Sequence, residues 1–415
     1  MRKIFSALIL LNISLLLISG ACFLNNEHWY AKATNGQEYV CVYVNSSIYS
    51  SIQSEINQYK SDLEADGFNV TVYNWTSISV EALKANLTQE NNNSGMIGAV
   101  LIGNMPYALF EPPSTTPYPC DLFLMDLDGN WTNPDGDLTY NTHTNTTGDL
   151  HPEIFIGRIN PYCLNVSNHT TLLRNYFQRN HLYRNNSMTR YNSSLLYIDD
   201  DFESVSDEWM QDMLILYSNN TLLNNTYTTT NATDYMNELT KYYEFVHSFI
   251  HSDSVKHYFS PHPSAGQVNY TQIRNLDNKA LFYNLYCCFA ADFGAVDNIG
   301  SHYLFSSNYT LAIFGSTRSG GFLLNQYLYQ PLSQGETLGV AFYDWWFNDL
   351  YETQYPHGPN DLTVTGNVLL GDPFLRIREP ATTSPGAPDL ALIIGGAIGA
   401  IVVVGAAVYL LKIRK

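Results

Sequence analysis

Short apolar runs alternate with stretches of helical periodicity in this 415-residue chain, and this alternation limits the possible folds more than any other feature. Strands and helices are predicted in the order EYVCVYV, SSIQSEINQYKSDLEADGF, NVTVYNW, SVEALKANLTQ and MIGAVLIG. After a loop-rich middle, strands are predicted at SLLYIDDD, YYEFVHSFI, ALFYNLYCC and LAIFGS, with helices around 208–217 and 335–349. Such alternation predicts an α/β domain with a mostly parallel sheet and helices on both faces. We place this domain at 38–380, with candidate lobes at 38–185 and 190–380.

The two ends of the chain predict a protein that is exported and anchored in a membrane. Residues 1–21 have the basic start, apolar core and small final residues of a secretory signal peptide, and a short N-terminal segment follows at 22–37. Residues 390–411 are uncharged and long enough to cross a bilayer as a helix, and the basic residues at 412–415 predict a cytoplasmic tail. A Pro-, Thr- and Ser-rich stalk at 381–389 precedes that helix. We expect a single-pass type I protein of the cell membrane with an extracellular domain; an uncleaved N-terminal anchor is the alternative.

Sequons, charge and cysteines agree with an exported protein. About sixteen Asn-X-Ser/Thr sites lie between Asn45 and Asn308, which predicts a glycoprotein, although an Asn- and Thr-rich chain without glycans remains open. The net charge of −18 argues against nucleic acid as a partner. Six cysteines are too few for a disulfide scaffold, but Cys41, Cys120 and Cys163 could still supply a disulfide.

Cys287 and Cys288 stand side by side at the end of the predicted strand ALFYNLYCC. Adjacent cysteines cannot bridge each other without strain, so at least one has another role. His251 follows another predicted strand, and neighbouring parallel strands bring their carboxyl ends to one edge of a sheet. A histidine there could hold the cysteine as a thiolate or take its proton, and backbone N–H groups could stabilise an oxyanion. A cysteine that only fills the core is the alternative.

Four histidines in YEFVHSFIHSDSVKHYFSPH allow other interpretations. His247 and His251 have the spacing of a helical zinc pair, but Ser248 stands where HExxH enzymes carry Glu, and the apolar run favours a strand. For His257 and His262 we expect hydrogen-bonded structural roles in a loop.

Five segments resemble, in order, the gingipain family of cysteine peptidases, whose fold is caspase-like. They are INQYKSDLEADGFNVTVYNW, IGAVLIGNMPYALFE, CDLFLMDLDGNW, PEIFIGRIN and NVLLGDPFLRI. The resemblance spans roughly 38–377. It implies a caspase-like α/β fold and a cysteine endopeptidase that cleaves protein or peptide substrates through a thioester acyl-enzyme, with no required cofactor.

Matched by position, the resemblance implies His251 as the catalytic histidine and Cys288 as the nucleophile. The family has Cys followed by a short turn ending in Asp-Phe, as in CFAADF, which selects Cys288 and leaves Cys287 as a buried core neighbour. The resemblance also implies an oxyanion hole from the backbone N–H groups of Ser252 and Cys288. For an acid that orients the histidine we choose Asp201 from the segment IDDDF.

Two glycines of the family pattern are replaced here, by Ser252 and Ala291. An inactive surface glycoprotein of the same fold, used for binding or adhesion, is therefore the main alternative to the membrane-anchored extracellular peptidase. A transpeptidase is a third hypothesis, because an amine can resolve the acyl-enzyme in place of water.

The segment DLDGNWTNPDGD predicts a candidate calcium site. Its oxygen-bearing side chains are those of Asp126, Asp128, Asn130, Asp135 and Asp137. Carboxylate and amide oxygens suit calcium, but Gly129 comes too early for an EF-hand, and a pair of Asp-Gly turns explains the pattern without an ion. A structural calcium at Asp126, Asp128, Asp135 and Asp137 is thus a hypothesis from sequence.

Overall fold

A computed structural model describes one compact unit of the chain that ends at Ile377. It describes residues 37–377 except 114, 135, 138, 225–229, 260–263 and 352–363. The predicted signal peptide, stalk, transmembrane helix and tail lie outside these residues. Within the part that is described, no helix has both the length and the apolar character needed to cross a membrane.

The secondary structure follows the predicted alternation of strands and helices. The strands are β1 (Tyr39–Asn45), β2 (Asn69–Trp75), β3 (Met96–Ile102), β4 (Leu109–Phe110), β5 (Tyr118–Pro119), β6 (Asn130–Thr132), β7 (Thr139–Tyr140), β8 (Thr142–Thr144), β9 (Phe155–Ile159), β10 (Ser194–Ile198), β11 (Asn220–Leu223), β12 (Phe245–Phe249), β13 (His251–Ser252), β14 (Lys256–Tyr258), β15 (Gln267–Asn269), β16 (Phe282–Tyr286), β17 (Ala312–Ser316) and β18 (Asn367–Gly371). The helices are α1 (Ser46–Tyr49), α2 (Gln53–Ala65), α3 (Val80–Ser94), α4 (Leu122–Met125), α5 (His169–Arg184), a 3₁₀ helix (Asp200–Val205), α6 (Ser206–Leu216), α7 (Ala232–Leu239), α8 (Tyr270–Asn275), α9 (Ile299–Ser306), α10 (Gln326–Ser333) and α11 (Leu338–Tyr351).

Ten of these strands form a single sheet in the order β11-β10-β12-β16-β17-β18-β9-β3-β1-β2. The five strands from β11 to β17 are parallel to one another, and so are the five from β18 to β2. Strands β17 and β18 pair antiparallel, so the two halves of the sheet run in opposite directions. The predicted α/β fold with a mostly parallel sheet is therefore confirmed.

Both faces of the sheet are covered by helices. Alternate residues of β1 enter different hydrophobic cores, because successive side chains of a strand point to opposite faces. Val40 and Val42 join one core, which packs against α2, α5 and α9. Cys41 and Tyr43 join the other core, which packs against α3, α6, α10 and α11. These buried layers give the carboxyl ends of β12, β16 and β17 a rigid base.

Candidate active site

The strands that precede His251 and Cys288 are direct neighbours and end at the same level. In the parallel ladder between β12 and β16, Phe249 is paired with Tyr286, and both are the last residues of their strands. His251 and Cys288 each come two residues later, so the register brings both to the same edge of the sheet. Open parallel sheets form their sites at this carboxyl edge.

Cys288 lies in a turn immediately after β16 and is partly exposed. Its Sγ accepts hydrogen bonds from the Ser319 hydroxyl (3.5 Å) and from the backbone N–H of Gly320 (3.4 Å). These two donors fix the position of the sulfur beside the loop that follows β17. Within the described part of the chain, the Cys288 N–H donates to no other backbone group, and it is thus available to an oxyanion. The next residue, Phe289, has a φ of 59°, which turns the chain sharply after the sulfur.

The neighbouring Cys287 occupies a different environment. It is only 1% exposed, and its Sγ donates a hydrogen bond to the Ser248 carbonyl at 3.5 Å. Burial raises the pKa of the Cys287 thiol well above its usual range, so the sulfur stays protonated at neutral pH. A buried, protonated thiol is a poor nucleophile.

His251 opens the short strand β13 at the protein surface. Its Nε2 lies 3.3 Å from Oδ2 of Asp201, which belongs to the 3₁₀ helix after β10. The Phe202 ring packs against the imidazole with 4.5 Å between the ring centroids. The pair is partly exposed, with 48% of the His251 side chain and 33% of the Asp201 side chain accessible. Asp201 is thus placed to orient the ring, with an effect moderated by solvent.

The residue after the histidine contacts the nucleophile's backbone. The Ser252 hydroxyl donates a hydrogen bond to the carbonyl oxygen of Cys288. A glycine at this position could not make that bond. Ser252, the residue after His251, is therefore linked to the peptide group of Cys288.

Two other histidines of the cluster, His247 and His257, are part of the core. His247 and His257 are both fully buried, and burial lowers the pKa of each imidazole to about 3. His247 Nδ1 lies 2.8 Å from the Tyr329 hydroxyl, and His257 Nε2 lies 3.1 Å from that of Tyr303. In the described residues these histidines form no metal-ligating group with His251. His262 lies outside the described residues.

The acidic loop forms a cluster that differs from the predicted ligand set. Ligand oxygens of Asp126, Asp128 and Glu153 lie within 4.8 Å of one another. Asp137 is not in this group, because its Oδ1 accepts a hydrogen bond from the Thr139 N–H at 2.6 Å. The Asn130 amide donates to the Thr144 hydroxyl at 3.3 Å. Asp135 lies outside the described residues. Of the four predicted ligands, the described residues thus bring Asp126 and Asp128 together, and they add Glu153.

The Glu153 carboxyl of this cluster is partly buried among other acidic groups. Burial, together with the neighbouring charges of Asp126, Asp128 and Asp149, raises the pKa of the Glu153 carboxyl to about 7. Two basic side chains lie near the cluster: Nε2 of His143 contacts Oδ2 of Asp126. The second is Lys84, which lies over the Phe123 ring, and burial lowers the pKa of its ammonium. A divalent cation would relieve this repulsion, since hard carboxylate oxygens are its preferred ligands.

Several residues of the site could not be found from the sequence alone. Ser319 and Gly320 belong to the loop after β17, and Glu153 precedes β9, 25 residues beyond Asp128. The carboxyl-edge rule applied to β17 was the available signal for Ser319 and Gly320. The five cysteines of the described chain are all free thiols, so the suggested disulfide among Cys41, Cys120 and Cys163 is wrong.

Comparisons with known proteins agree on one family. The profile of peptidase family C25 matches residues 32–378. The crystal structure of gingipain R (RgpB), an Arg-specific cysteine proteinase, superposes with a TM-score of 0.60 at 14% identity, covering 85% of this chain and 81% of that one. The complex of the pro- and mature domains of Porphyromonas gingivalis RgpB gives a TM-score of 0.59 at 13% identity, covering 82% and 80%. At these identities the structures show a shared fold. No curated protein matches the chain.

Proposed function

Because this chain belongs to peptidase family C25, the gingipain family of cysteine peptidases, we propose that it is a cysteine endopeptidase with Cys288 as nucleophile and His251 as general acid and base. One observation carries the proposal: the β12–β16 register brings both residues to the same carboxyl edge, where two donors face the Cys288 sulfur. Position at this edge, partial exposure and hydrogen-bonded sulfur are the features a catalytic thiolate needs.

In this mechanism His251 takes the proton of the Cys288 thiol, and the sulfur attacks the carbonyl carbon of a peptide bond. The carbonyl oxygen becomes an oxyanion, and the free N–H of Cys288 donates to it. His251 gives its proton to the leaving amine as the C–N bond breaks, which leaves a thioester on Cys288. Water then attacks the thioester while His251 takes its proton, and the carboxylate product and the thiol are released.

Asp201 acts as the orienting acid of the dyad. Its carboxylate accepts from the Nε2 side of the imidazole, at 3.3 Å, so Nδ1 is the ring nitrogen left for the cysteine and the leaving amine. The charge of Asp201 also stabilises the imidazolium that forms during acylation.

The proposed setting is the outer face of a cell membrane. The signal-peptide pattern at 1–21, the apolar segment at 390–411 and the basic tail support a type I anchor. The many sequons support a glycosylated extracellular domain, and substrates are then proteins or peptides outside the cell.

The nucleophile is tested by covalent labelling. The full-length protein in detergent micelles is treated with a library of peptide acyloxymethyl ketones and analysed by intact mass and peptide mapping. We expect one adduct on Cys288, absent from Cys288→Ala and strongly reduced in His251→Ala. Cys287→Ala is the matched control and keeps the adduct. A folded protein that forms no adduct, or one labelled on Cys287, overturns the assignment.

We also propose a structural calcium ion held by Asp126, Asp128 and Glu153, supported by the convergence of their oxygens. Calcium should raise the melting temperature of the full-length protein after chelator treatment, because it binds the folded state alone. Glu153→Gln should lose most of that shift, whereas Asp137→Asn, outside the cluster, keeps it. An equal shift in the wild type and Glu153→Gln contradicts this site.

A further inference from the structure

The sheet ladder does not itself set the distance between His251 and Cys288. Pairing of β12 with β16 ends at Phe249 and Tyr286, and a final backbone bond joins the Ile250 N–H to the Tyr286 carbonyl at 3.4 Å. Beyond this point the two chain segments separate. The segment carrying His251 enters the antiparallel hairpin of β13 and β14, and the one carrying Cys288 turns towards α9.

Two side chains join these segments again. The first is Ser252, whose hydroxyl donates to the Cys288 carbonyl. This bond links the residue after the histidine directly to the nucleophile's own peptide group. Because the carbonyl oxygen is only two covalent bonds from the Cys288 Cα, the bond limits how far Cys288 can shift relative to the histidine loop.

The second is Asn298, a fully buried residue at the start of α9. Its Nδ2 donates to the carbonyl of Ser254 (3.4 Å) in the histidine loop, and to those of Phe289 (3.3 Å) and Ala290 (3.0 Å) in the cysteine turn. The Asn298 amide therefore bridges the segment that carries His251 and the segment that carries Cys288.

The same side chain also caps a helix. Oδ1 of Asn298 accepts the N–H of Ser301 at 3.0 Å, and the N–H of Ile299 donates to the Ser254 carbonyl at 2.8 Å. The bridge is thus anchored to α9, which is packed in the core. The arrangement also holds the carbonyl of Phe289, the residue after the nucleophile, which has a positive φ that side-chain-bearing residues rarely adopt.

We propose that Ser252 and Asn298 are positioning residues that fix the geometry between His251 and Cys288. The inference rests on the proposed cysteine peptidase activity and adds that Ser252 replaces the glycine expected from the family pattern with a functional cross-link. Reaction rates depend steeply on such geometry, because a displacement of about 1 Å can cost roughly a hundredfold in rate.

The test uses the full-length protein in detergent micelles and a peptide acyloxymethyl ketone that labels Cys288. Ser252→Ala should lower the maximal inactivation rate about tenfold and leave the inhibition constant nearly unchanged, because positioning acts on the chemical step. Ser252→Thr keeps the hydroxyl and should react within about threefold of the wild type. An unchanged rate in Ser252→Ala, or a change in the inhibition constant alone, overturns the role of Ser252.

Asn298→Asp separates the bridge from the helix cap. Aspartate is as good an N-cap as asparagine, so α9 keeps its start, but the three carbonyls then face an oxygen in place of a donor. We expect this variant to react more slowly than Ser252→Ala. Wild-type reactivity in Asn298→Asp would show that the amide only caps the helix.

Hydrogen exchange distinguishes failure of this inference from failure of the proposed activity. If the wild type forms no adduct, the peptidase assignment falls, yet the cross-link still predicts faster amide exchange over 288–291 in Ser252→Ala than in the wild type. Equal exchange in the two proteins overturns the cross-link whatever the activity.

Discussion

Cys287 and Cys288 both follow the end of β16, yet they differ in their surroundings, because the first is buried and the second is partly exposed. Cys287 still points into the core behind β16, whereas Cys288 faces the loop that carries Ser319 and Gly320. Burial and hydrogen-bond partners thus give the two adjacent thiols different surroundings. The sequence reveals the pair, and only the fold shows which member meets the donors.

Asp201→Asn tests the orienting acid at the scale of one residue. The variant keeps the size of the side chain but loses the charge that faces His251 Nε2. Since the pair is partly exposed, we expect a loss in kcat of about tenfold, smaller than the loss of a general base, with little change in KM. Steady-state kinetics on a cleaved peptide measures both constants.

The matched control is Asp200→Asn. Asp200 precedes Asp201, and its carboxylate accepts a hydrogen bond from the Thr230 hydroxyl instead of facing the histidine. Like Asp201→Asn, the Asp200→Asn variant removes one negative charge from the 3₁₀ helix. Equal losses in both variants would mean that the acidic segment acts through its overall charge and not through one contact.

Asp212→Asn tests a buried carboxyl on α6. Burial, and secondarily the charge of Glu208, raises the pKa of Asp212 from 3.8 to about 6. Because the folded state raises this pKa, the protonated Asp212 carboxyl contributes fully to the free energy of unfolding below pH 3.8. That contribution is lost as the pH rises through about 6. Replacing the carboxylate with an amide should therefore raise the free energy of unfolding by about 1 kcal/mol at pH 8, a value reduced for partial solvent screening. The gain should shrink at pH 5.

Urea unfolding at the two pH values measures this difference. Asp207→Asn is the control, because Asp207 is exposed in the first turn of α6, where a negative charge stabilises the helix by a few tenths of a kcal/mol. That variant should be slightly less stable at pH 8. A destabilised Asp212→Asn at pH 8 would contradict the cost assigned to the buried charge.

At the scale of elements, strand positions were predicted most accurately from the sequence where a strand is continuously apolar. The runs that became β3, β12, β16 and β17 were found within a few residues of their bounds. Helix α5 was missed because polar residues, including Arg179 and Asn180, are buried on it and disrupt its apolar periodicity. Its buried polar groups find partners only in the folded chain, where Arg179 Nε donates to the Thr310 carbonyl at 2.8 Å.

The direction of β18 could not be predicted for a related reason. Its apolar sequence fits either orientation, and local pattern carries no information about which neighbour it will join. Contacts far apart in sequence decide this, since β18 pairs with β17 and with β9. The same limit applies to the site: strand ends located His251 and Cys288, whereas Ser319 and Asn298 reach it through loops whose paths depend on tertiary packing.

Gly371→Ala tests the close approach at the end of β18. Gly371 has a φ of 117°, and an added Cβ would lie 2.3 Å from the Leu311 carbonyl oxygen and 2.8 Å from the Ala312 Cα. Backbone atoms cannot move aside easily, so we expect destabilisation of about 3 kcal/mol or more by urea unfolding. Gly136→Ala is the control, since Gly136 also has a positive φ (74°), but an added Cβ would meet no atom of the described residues within 4 Å, its chain neighbours aside. This variant should cost about 1 kcal/mol. If the two variants lose the same free energy of unfolding, the cost comes from the positive φ and not from the close contact at Gly371.

At the scale of the whole molecule, the Gly-Asp-Pro motif after β18 connects distant parts of the fold. The carboxylate of Asp372 is fully buried and accepts four hydrogen bonds. Its donors are the Tyr59 hydroxyl at 2.7 Å, the Asn180 amide at 2.7 Å, the Arg184 guanidinium at 2.5 Å and the Phe374 N–H at 2.9 Å. These donors come from α2, α5 and the chain after β18, so one carboxylate joins the end of the sheet to two helices. The resemblance to a peptidase family marked this motif, and its contacts give it a structural role.

Asp372→Ala should therefore destabilise the entire domain without changing the chemistry of the site. Removing the carboxylate leaves the Arg184 charge buried with one remaining acid, Asp66, and we expect a loss of about 3–5 kcal/mol in the free energy of unfolding. Asp66→Ala is the matched control, because Asp66 is the other acid that pairs with Arg184. The Asp66 side chain is 35% exposed, so its removal should cost less than about 1 kcal/mol. Urea unfolding gives the stabilities, and labelling of Cys288 per folded molecule gives the activity.

A purely structural carboxylate changes how much protein is folded and not how fast the folded protein reacts. If labelling of Asp372→Ala falls by more than its loss of folded protein, the Gly-Asp-Pro motif instead helps to set the geometry of the active site.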